Sequence, residues 1–286
     1  MDLNVQRKKR ILYILCGICV FGFFIYQQNT TVKTTWYEVI SEKIPESVAP
    51  FRIVQLSDVH DSMFGENHEQ VVRKVKMITP HAIFITGDLI DSNRYNLEQS
   101  LQLIRALQYV APLYYVTGNH EIATNDTDHI KEELQLLGVH VLSNEAMVIN
   151  TLENELIAIG GIEDPLSSVL EEKDAIQLAI QEAFRHVPDT TFKMLLSHRP
   201  EHFDLYAENH VDLTFSGHAH GGQFRIPGIG GLIAPGQGWF PKFTSGIYER
   251  NDHQMVVSRG LGNSIIPIRL FNQPEIVVVT LFHTKN

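Results

Sequence analysis

Cysteine is nearly absent from this chain. Its two copies, Cys16 and Cys19, lie in an apolar N-terminal run, and no later residue carries a thiol. No disulfide can staple the remainder and no thiolate can ligate a metal there, so an apolar core must hold the body together. The Cys-x-x-Cys spacing matches redox motifs, but it lacks the βαβ surroundings of such motifs and is set aside. Basic residues are also short: 23 Lys and Arg stand against 33 Asp and Glu, a net charge of −10. Four of the basic residues are Arg7, Lys8, Lys9 and Arg10, so the chain beyond them is more acidic still. An acidic body excludes non-specific nucleic-acid binding, and no nucleic acid is expected as a stable partner. A small phosphorylated substrate stays compatible, because bound cations invert the local field. Internal repeats and low-complexity tracts are missing. What is there is the composition of a folded globular protein, 44% hydrophobic and 20% charged over 286 residues, enough for one large domain or two small ones.

Charge is absent from Ile11–Tyr26, and none appears until Lys33. Sixteen helical residues span about 24 Å, short of a hydrocarbon core of about 30 Å, and Gln27–Thr30 with snorkelling flanks makes up the difference. A secretory signal shares the basic start and apolar middle, but no A-x-A-type cleavage site follows Tyr26. No adjacent arginine pair marks a twin-arginine signal either. The expectation is an uncleaved signal-anchor in the cell membrane. The basic cluster before it puts the N-terminus in the cytoplasm and the body outside. The division expected is a basic N-terminus over 1–10, a transmembrane helix over 11–30, a linker over 31–50 and a folded domain over 51–286. Within the linker, Trp36-Tyr37 and Val39-Ile40 suggest a first edge strand.

The folded part repeats one beat. Apolar, β-branched runs end in polar clusters: Ile53–Leu56 in Ser57-Asp58-Val59-His60, Ala82–Ile85 in Gly87-Asp88, and Leu113–Val116 in Gly118-Asn119-His120-Glu121. Phe192–Leu196 ends in Ser197-His198-Arg199-Pro200, and Val211–Phe215 in Ser216-Gly217-His218-Ala219-His220-Gly221-Gly222. Helical patterns fall between them, at about 67–78, 97–109, 127–137, 170–185 and 200–209. Alternating strands and helices predict an α/β architecture whose ligand lies off the C-terminal strand ends. All five clusters fall at such ends, which predicts one shared site. Phe224–Tyr248 is rich in Gly and Pro and reads as a loop or irregular hairpin. Gln254–Ser258 and Ile276–Phe282, strands without helices between them, predict a second sheet packed on the first, with helices outside.

Sorted by donor atom, Asp58, His60, Asp88, Asn119, His198, His218 and His220 supply two carboxylates, one amide oxygen and four imidazoles. Seven donors are too many for one tetrahedral ion. They suit two divalent ions about 3.5–4 Å apart, bridged by a carboxylate. Nitrogen and oxygen donors without sulfur favour Mn, Fe or Zn over calcium or cuprous ion.

Asp58-x-His60, Gly87-Asp88-x-x-Asp91, Gly118-Asn119-His120-Glu121, His198 and Gly217-His218-x-His220 resemble, in order, the motifs of calcineurin-like metallophosphoesterases. The resemblance covers roughly 51–282. With the anchor and the Gly-rich segment, the chain looks like the membrane-anchored bacterial branch. The resemblance implies a four-layer α-β-β-α sandwich of two mixed sheets. It implies that Asp58, His60, Asp88 and His220 hold one metal, that Asp88, Asn119, His198 and His218 hold the other, and that Asp88 bridges. His120 becomes the acid for the leaving oxygen, with Asp91 hydrogen-bonded to orient it. The activity implied is hydrolysis of phosphodiester or pyrophosphate bonds by a metal-bridging hydroxide, on a phosphate-ester substrate that is soluble, lipid-linked or a nucleotide sugar. A phosphomonoesterase, a protein phosphatase and a non-catalytic metal-binding scaffold are the alternatives. The family often has Gly where this chain has Asn93, which implies a small change of turn shape.

Arg199, Arg225 and Arg259 are candidates to grip a phosphoryl oxygen in a bidentate fork. Trp239-Phe240-Pro241 with Phe243 forms either an apolar lip that touches acyl chains or the packed base of a loop. Asp61 either supports the metals or forms the turn.

Overall fold

Apolar runs without alternation belong to strands buried on both faces, and such strands need cover on two sides. The computed structural model, which describes residues 3–150, 156–263 and 267–284, supplies it with four layers. The elements run α1 (Leu3–Thr30), β1 (Lys33–Ile40), β2 (Phe51–Leu56), α2 (Glu69–Ile78), β3 (Ala82–Thr86), α3 (Leu97–Leu107), β4 (Leu113–Val116), α4 (Asn119–Ala123), α5 (Thr127–Leu136) and β5 (His140–Val141). They continue β6 (Glu145–Asn150), β7 (Leu156–Gly161), α6 (Glu172–Ala183), β8 (Phe192–Leu196), α7 (Phe203–Glu208) and β9 (Leu213–Ser216). Two small hairpins follow, β10 (Arg225–Ile226) with β11 (Gly230–Gly231) and β12 (Ile233–Ala234) with β13 (Gly238–Trp239), then β14 (Gly246–Arg250), β15 (His253–Val257) and β16 (Glu275–Phe282).

The first sheet has the order β1-β16-β2-β3-β4-β5 and the second β14-β15-β9-β8-β7-β6, both mixed. Side chains alternate between cores with the strand period of two. Val54, Leu56, Ile83 and Ile85 point to α2, α3 and α5, where Val71, Ile104 and Ile130 meet them. Their neighbours Ile53, Ala82 and Phe84 point the other way, into a core between the sheets shared with Ile159, Met194, Leu196, Phe215 and Val256. The second sheet turns Ala158, Leu195, Met255 and Val257 outward onto Ile176, Ile180, Phe203 and Tyr206 of α6 and α7. The helices stand near their expected spans, and the four-layer architecture is the one expected.

Two expectations are corrected. The last-third strands do not make the second sheet by themselves: β15 joins β9, while β16 crosses back between β1 and β2. The five motif-bearing strands divide between sheets, β2, β3 and β4 in the first and β8 and β9 in the second. Strands buried on both faces read alike whichever sheet holds them, so the pattern cannot assign membership. Nor is 31–50 simply a linker. Lys33–Ile40 pairs with Glu275–Phe282 over eight residues as an edge strand, and Val39 and Ile44 are buried. The edge strand expected at Trp36–Ile40 is present, and because half of β1 faces solvent the sequence shows only that part of it as an apolar run.

Helix α1 lies apart from these layers. Lys9–Thr30 is long and apolar enough to cross a membrane, about 33 Å for 22 residues against a core of about 30 Å, and none of its apolar window is buried in protein.

Candidate metal centre

The C-terminal ends of β2, β3, β4, β8 and β9 meet at one edge of the sandwich. Polar side chains stitch the two sheets beneath it. Gln55 Nε2 donates to Thr86 Oγ1 (3.0 Å) and to Ser216 O of the other sheet (2.9 Å), and Thr86 Oγ1 donates to Ser57 Oγ (2.8 Å). At this edge the chain must turn sharply while aiming side chains inward. Five of the seven donor residues therefore adopt left-handed backbone: Asp58 (φ 49), His60 (φ 50), Asp88 (φ 50), His218 (φ 64) and His220 (φ 45). Such conformations cost about 1–3 kcal/mol each and persist only where neighbours fix them. Cross-loop bonds do so here: Asp58 N to Gly87 O (3.1 Å), His60 N to Asp88 O (3.1 Å) and His218 N to Asp58 Oδ1 (3.0 Å).

All seven donors lie at this edge. Ligand atoms of Asp58, His60, Asp88 and His220 fall within 4.8 Å of one another, and so do those of Asp88, His198 and His218. Asp88 is common to both groups. Asn119 Oδ1 approaches His198 Nε2 at 3.2 Å. His60 Nε2 faces His220 Nε2 at 3.0 Å, and His198 Nε2 faces His218 Nδ1 at 3.1 Å. Asp88 Oδ2 lies between the pairs, 3.7 Å from His60 Nε2 and 3.2 Å from His198 Nε2.

The donor set fits divalent cations. His60 Nδ1, His218 Nε2 and His220 Nδ1 are buried without a hydrogen-bond partner. Burial pushes His60 down to about 4 and His218 and His220 well below the usual imidazole range, so these rings are neutral and offer lone pairs. Burial opposes charge on His198 too, yet Asp88 and then Asp58 draw it up to about 10. The carboxylates thus gather positive charge at their centre. His198 Nδ1 lies 2.8 Å from Thr86 O and donates to it, which leaves Nε2 as the nitrogen turned inward.

Close approach restricts the edge further. A Cβ on Gly217 would lie 1.9 Å from Ser57 Oγ and 2.4 Å from Asp58 Oδ2. Gly217→Ala is expected to displace Asp58 and to weaken metal binding about 10–100-fold, as measured by titrating chelator-stripped protein with Mn²⁺. Unchanged affinity would show that the site tolerates the shift.

His120 stands beside the cluster, its ring edge-on to His60 with centroids 4.5 Å apart. The hydrogen bond expected from Asp91 is not the one the fold makes. Asp91 Oδ1 is 3.7 Å from His120 Nδ1, whereas Ser92 N donates to Nδ1 at 3.0 Å. Asp91 instead accepts from Asn93 N and pairs with Arg94. An accepting Nδ1 leaves the ring proton on Nε2.

The arginines expected to bind substrate have other partners. Arg199 forks onto Asp164 (2.8 and 3.0 Å) and reaches Glu172 (2.9 Å). Arg225 donates to Gly221 O and Thr244 Oγ1, and Arg259 lies 3.8 Å from Glu275. A basic residue after a motif looks the same whether it faces substrate or a buried acid. Asp61 ties the turn together, accepting from Asp91 N, Asn96 N and Ser100 Oγ. The aromatic segment divides: Phe243 packs on Phe203 and Tyr248, while Trp239 and Phe240 are exposed.

Two acids were not given roles by the sequence. The buried Glu121 carboxylate accepts from four backbone N–H groups, Gly118 (2.7 Å), Asp88 (3.0 Å), Leu89 (2.7 Å) and Ile90 (3.1 Å). Burial and then Asp88 push its carboxyl up to about 7. Its place beside Asn119-His120 was the available signal. Glu201, three residues after His198, comes within 3.8 Å of His218 Nε2, and its second oxygen is buried without a hydrogen-bond partner.

Comparison with known proteins agrees with this geometry. Residues 51–222 match the family model described as calcineurin-like phosphoesterase. An uncharacterized metallophosphoesterase of Bacillus subtilis, YkuE, is 29% identical over 93% of this chain and 91% of its own length. Phosphodiesterase YaeI of Escherichia coli is 26% identical over 91% of this chain and 92% of its own. A zebrafish (Danio rerio) transmembrane protein with a metallophosphoesterase domain is 28% identical over 94% of this chain and 61% of its own. The crystal structure of TT1561 of Thermus thermophilus shares the fold, with a TM-score of 0.51 at 12% identity, covering 74% of this chain and 90% of that one. The family match spans more than half of the sequence and contains the whole donor cluster. This chain therefore belongs to the calcineurin-like phosphoesterases, metal-dependent hydrolases of phosphoric esters.

Proposed function

We propose that Asp58, His60, Asp88 and His220 hold one divalent cation and that Asp88, Asn119, His198 and His218 hold a second. The observation that carries this reading is the position of Asp88 Oδ2 between two facing pairs of imidazole nitrogens. Mn, Fe or Zn suits these nitrogen and oxygen donors. When bound, such cations neutralise phosphoryl oxygens and acidify water toward neutrality.

The chain's own groups do the rest. Left-handed turns and buried acids hold the donors before substrate arrives, so little reorganisation is needed at reaction. His120, with its proton on Nε2, donates a hydrogen bond to the leaving oxygen as charge develops there. Ser92 N–H fixes that ring's tautomer, and Asp91 holds the turn that carries Ser92. The substrate class is a phosphodiester or a pyrophosphate, a reading supported by the name of the Escherichia coli relative. Helix α1 anchors the enzyme as a single pass. The basic cluster Arg7–Arg10 keeps the N-terminus cytoplasmic and the catalytic domain, from β1 onward, outside the cytoplasm.

The full chain in detergent is expected to hydrolyse a chromogenic phosphodiester with Mn²⁺ or Zn²⁺, faster than the matching monoester. Chelation is expected to abolish turnover and re-addition of metal to restore it. Chelator-insensitive turnover would overturn the ligand assignment, and a faster monoester reaction would overturn the diester reading.

A further inference from the structure

The end of α1 does not hang free of the domain. Asn29 Oδ1 accepts from Arg269 N (2.7 Å) while Asn29 Nδ2 donates to Arg269 O (3.2 Å). Gln28 Oε1 accepts from Asn272 N (3.2 Å), and Phe24 packs on Phe271 with ring centroids 5.3 Å apart. Only Thr31 and Val32 separate α1 from β1, and Val32 is buried. A connection this short, pinned on its far side by residues 269–272, fixes how the domain stands on its helix.

The surface around that junction is apolar. Ile268 and Phe271 are 46% and 47% exposed, and Ile226 and Ile229 are 38% and 69% exposed. The two segments join through Arg225 N, which donates to Leu270 O (3.0 Å), and a cavity of about 460 Å³ between Phe271 and the 225–230 turn links them. The surface also lacks acid. In a chain of net charge −10, residues 213–248 and 253–274 contain no Asp or Glu. Of their basic residues, Lys242 is exposed and Arg225 and Arg259 partly so, while Arg269 is buried. Exposed isoleucine and phenylalanine without carboxylates suit a headgroup region bordering acyl chains, and one continuous with a membrane helix needs no other partner.

We propose that the face built from residues 225–230 and 268–271 rests in the interface of the same bilayer that α1 crosses. The inference depends on the anchor reading of α1. It fixes the candidate metal centre close to the bilayer surface, because Asn272, bonded to Gln28 through its backbone, donates from its side chain to His220 O (2.7 Å).

The test uses the full chain carrying Cys16→Ala and Cys19→Ala, reconstituted into vesicles of phosphatidylcholine and phosphatidylglycerol. Nitroxide labels on Ile229→Cys and, separately, Ile226→Cys report the proposed surface. A label on Phe21→Cys reports α1, and one on Leu178→Cys reports the exposed side of α6. Power saturation compares oxygen, which concentrates in lipid, with a water-soluble nickel chelate. Labels at 21, 226 and 229 are expected to relax more with oxygen, and the label at 178 more with nickel. Nickel-dominated relaxation at 226 and 229 with oxygen-dominated relaxation at 21 would overturn the inference and leave the anchor standing. Nickel-dominated relaxation at 21 would overturn the anchor and the inference together. Oxygen-dominated relaxation at 178 would also overturn the inference, because contact with lipid would then not be selective.

Discussion

Asp88→Asn is expected to lower turnover of a phosphodiester by about 10³-fold or more at saturating metal. Asparagine keeps the shape and one oxygen but removes the negative charge between the two imidazole pairs. Burial alone would raise the Asp88 carboxyl, yet His198 and His60 hold it well below the usual carboxylate range, so it is an anion in the fold. Both donor groups use that anion. Removing the carboxylate that pairs with His198 is also expected to lower the melting temperature without metal, so turnover is compared below the unfolding transition of each protein. Turnover within about tenfold of the parent protein, a loss of only ~1.4 kcal/mol, would remove Asp88 from the proposed bridging role.

Glu121→Gln is the second large effect, and it acts through backbone. Four N–H groups converge on one carboxylate, which ties the turn after β3 to the turn after β4. Glutamine offers one oxygen and turns an N–H₂ toward groups that are themselves donors. The expected cost is about 3 kcal/mol, since two of the four N–H groups lose their acceptor oxygen and are left unpaired. For a domain of this size that lowers the melting temperature by roughly 6–12 °C. Because Asp88 and Asn119 ride on the two turns, metal affinity is expected to fall about 10–100-fold. Glu98→Gln, on an exposed surface pair with Arg105, is the matched control and should leave both quantities near the parent values. A Glu121→Gln protein that melts like that control would show that the turns hold without the carboxylate.

Much of the candidate site was legible because its donors are tied to punctuation that a linear reading detects. Asp58, Asp88, Asn119, His198 and His218 each follow an apolar strand within a few residues, and glycines mark the turns. The neighbours of the site were harder to place. Ser92 reaches His120 by a backbone N–H, which carries no residue signature, so the side chain of Asp91 was expected in its stead. Arg199 reads as a phosphate clamp until Asp164, 35 positions away, is found filling its fork. Glu121 stood in plain view in its motif, but a carboxylate that gathers four backbone N–H groups leaves no trace in side-chain patterns. Lys33–Ile40 escaped as a full strand because an edge strand with one wet face lacks an apolar run.

By itself, the sequence determined the α/β class, the seven donor types and the membrane-length helix. Each depends on residue identity and on spacing along the chain, and period-two or unbroken apolar runs carry that information locally. Only the tertiary structure decided that β16 returns beside β1, that the motif-bearing strands divide between two sheets, and that Asn272 joins the helix end to His220. Those outcomes rest on contacts between residues far apart in sequence, where packing of whole faces and pairing of buried polar groups choose the partner.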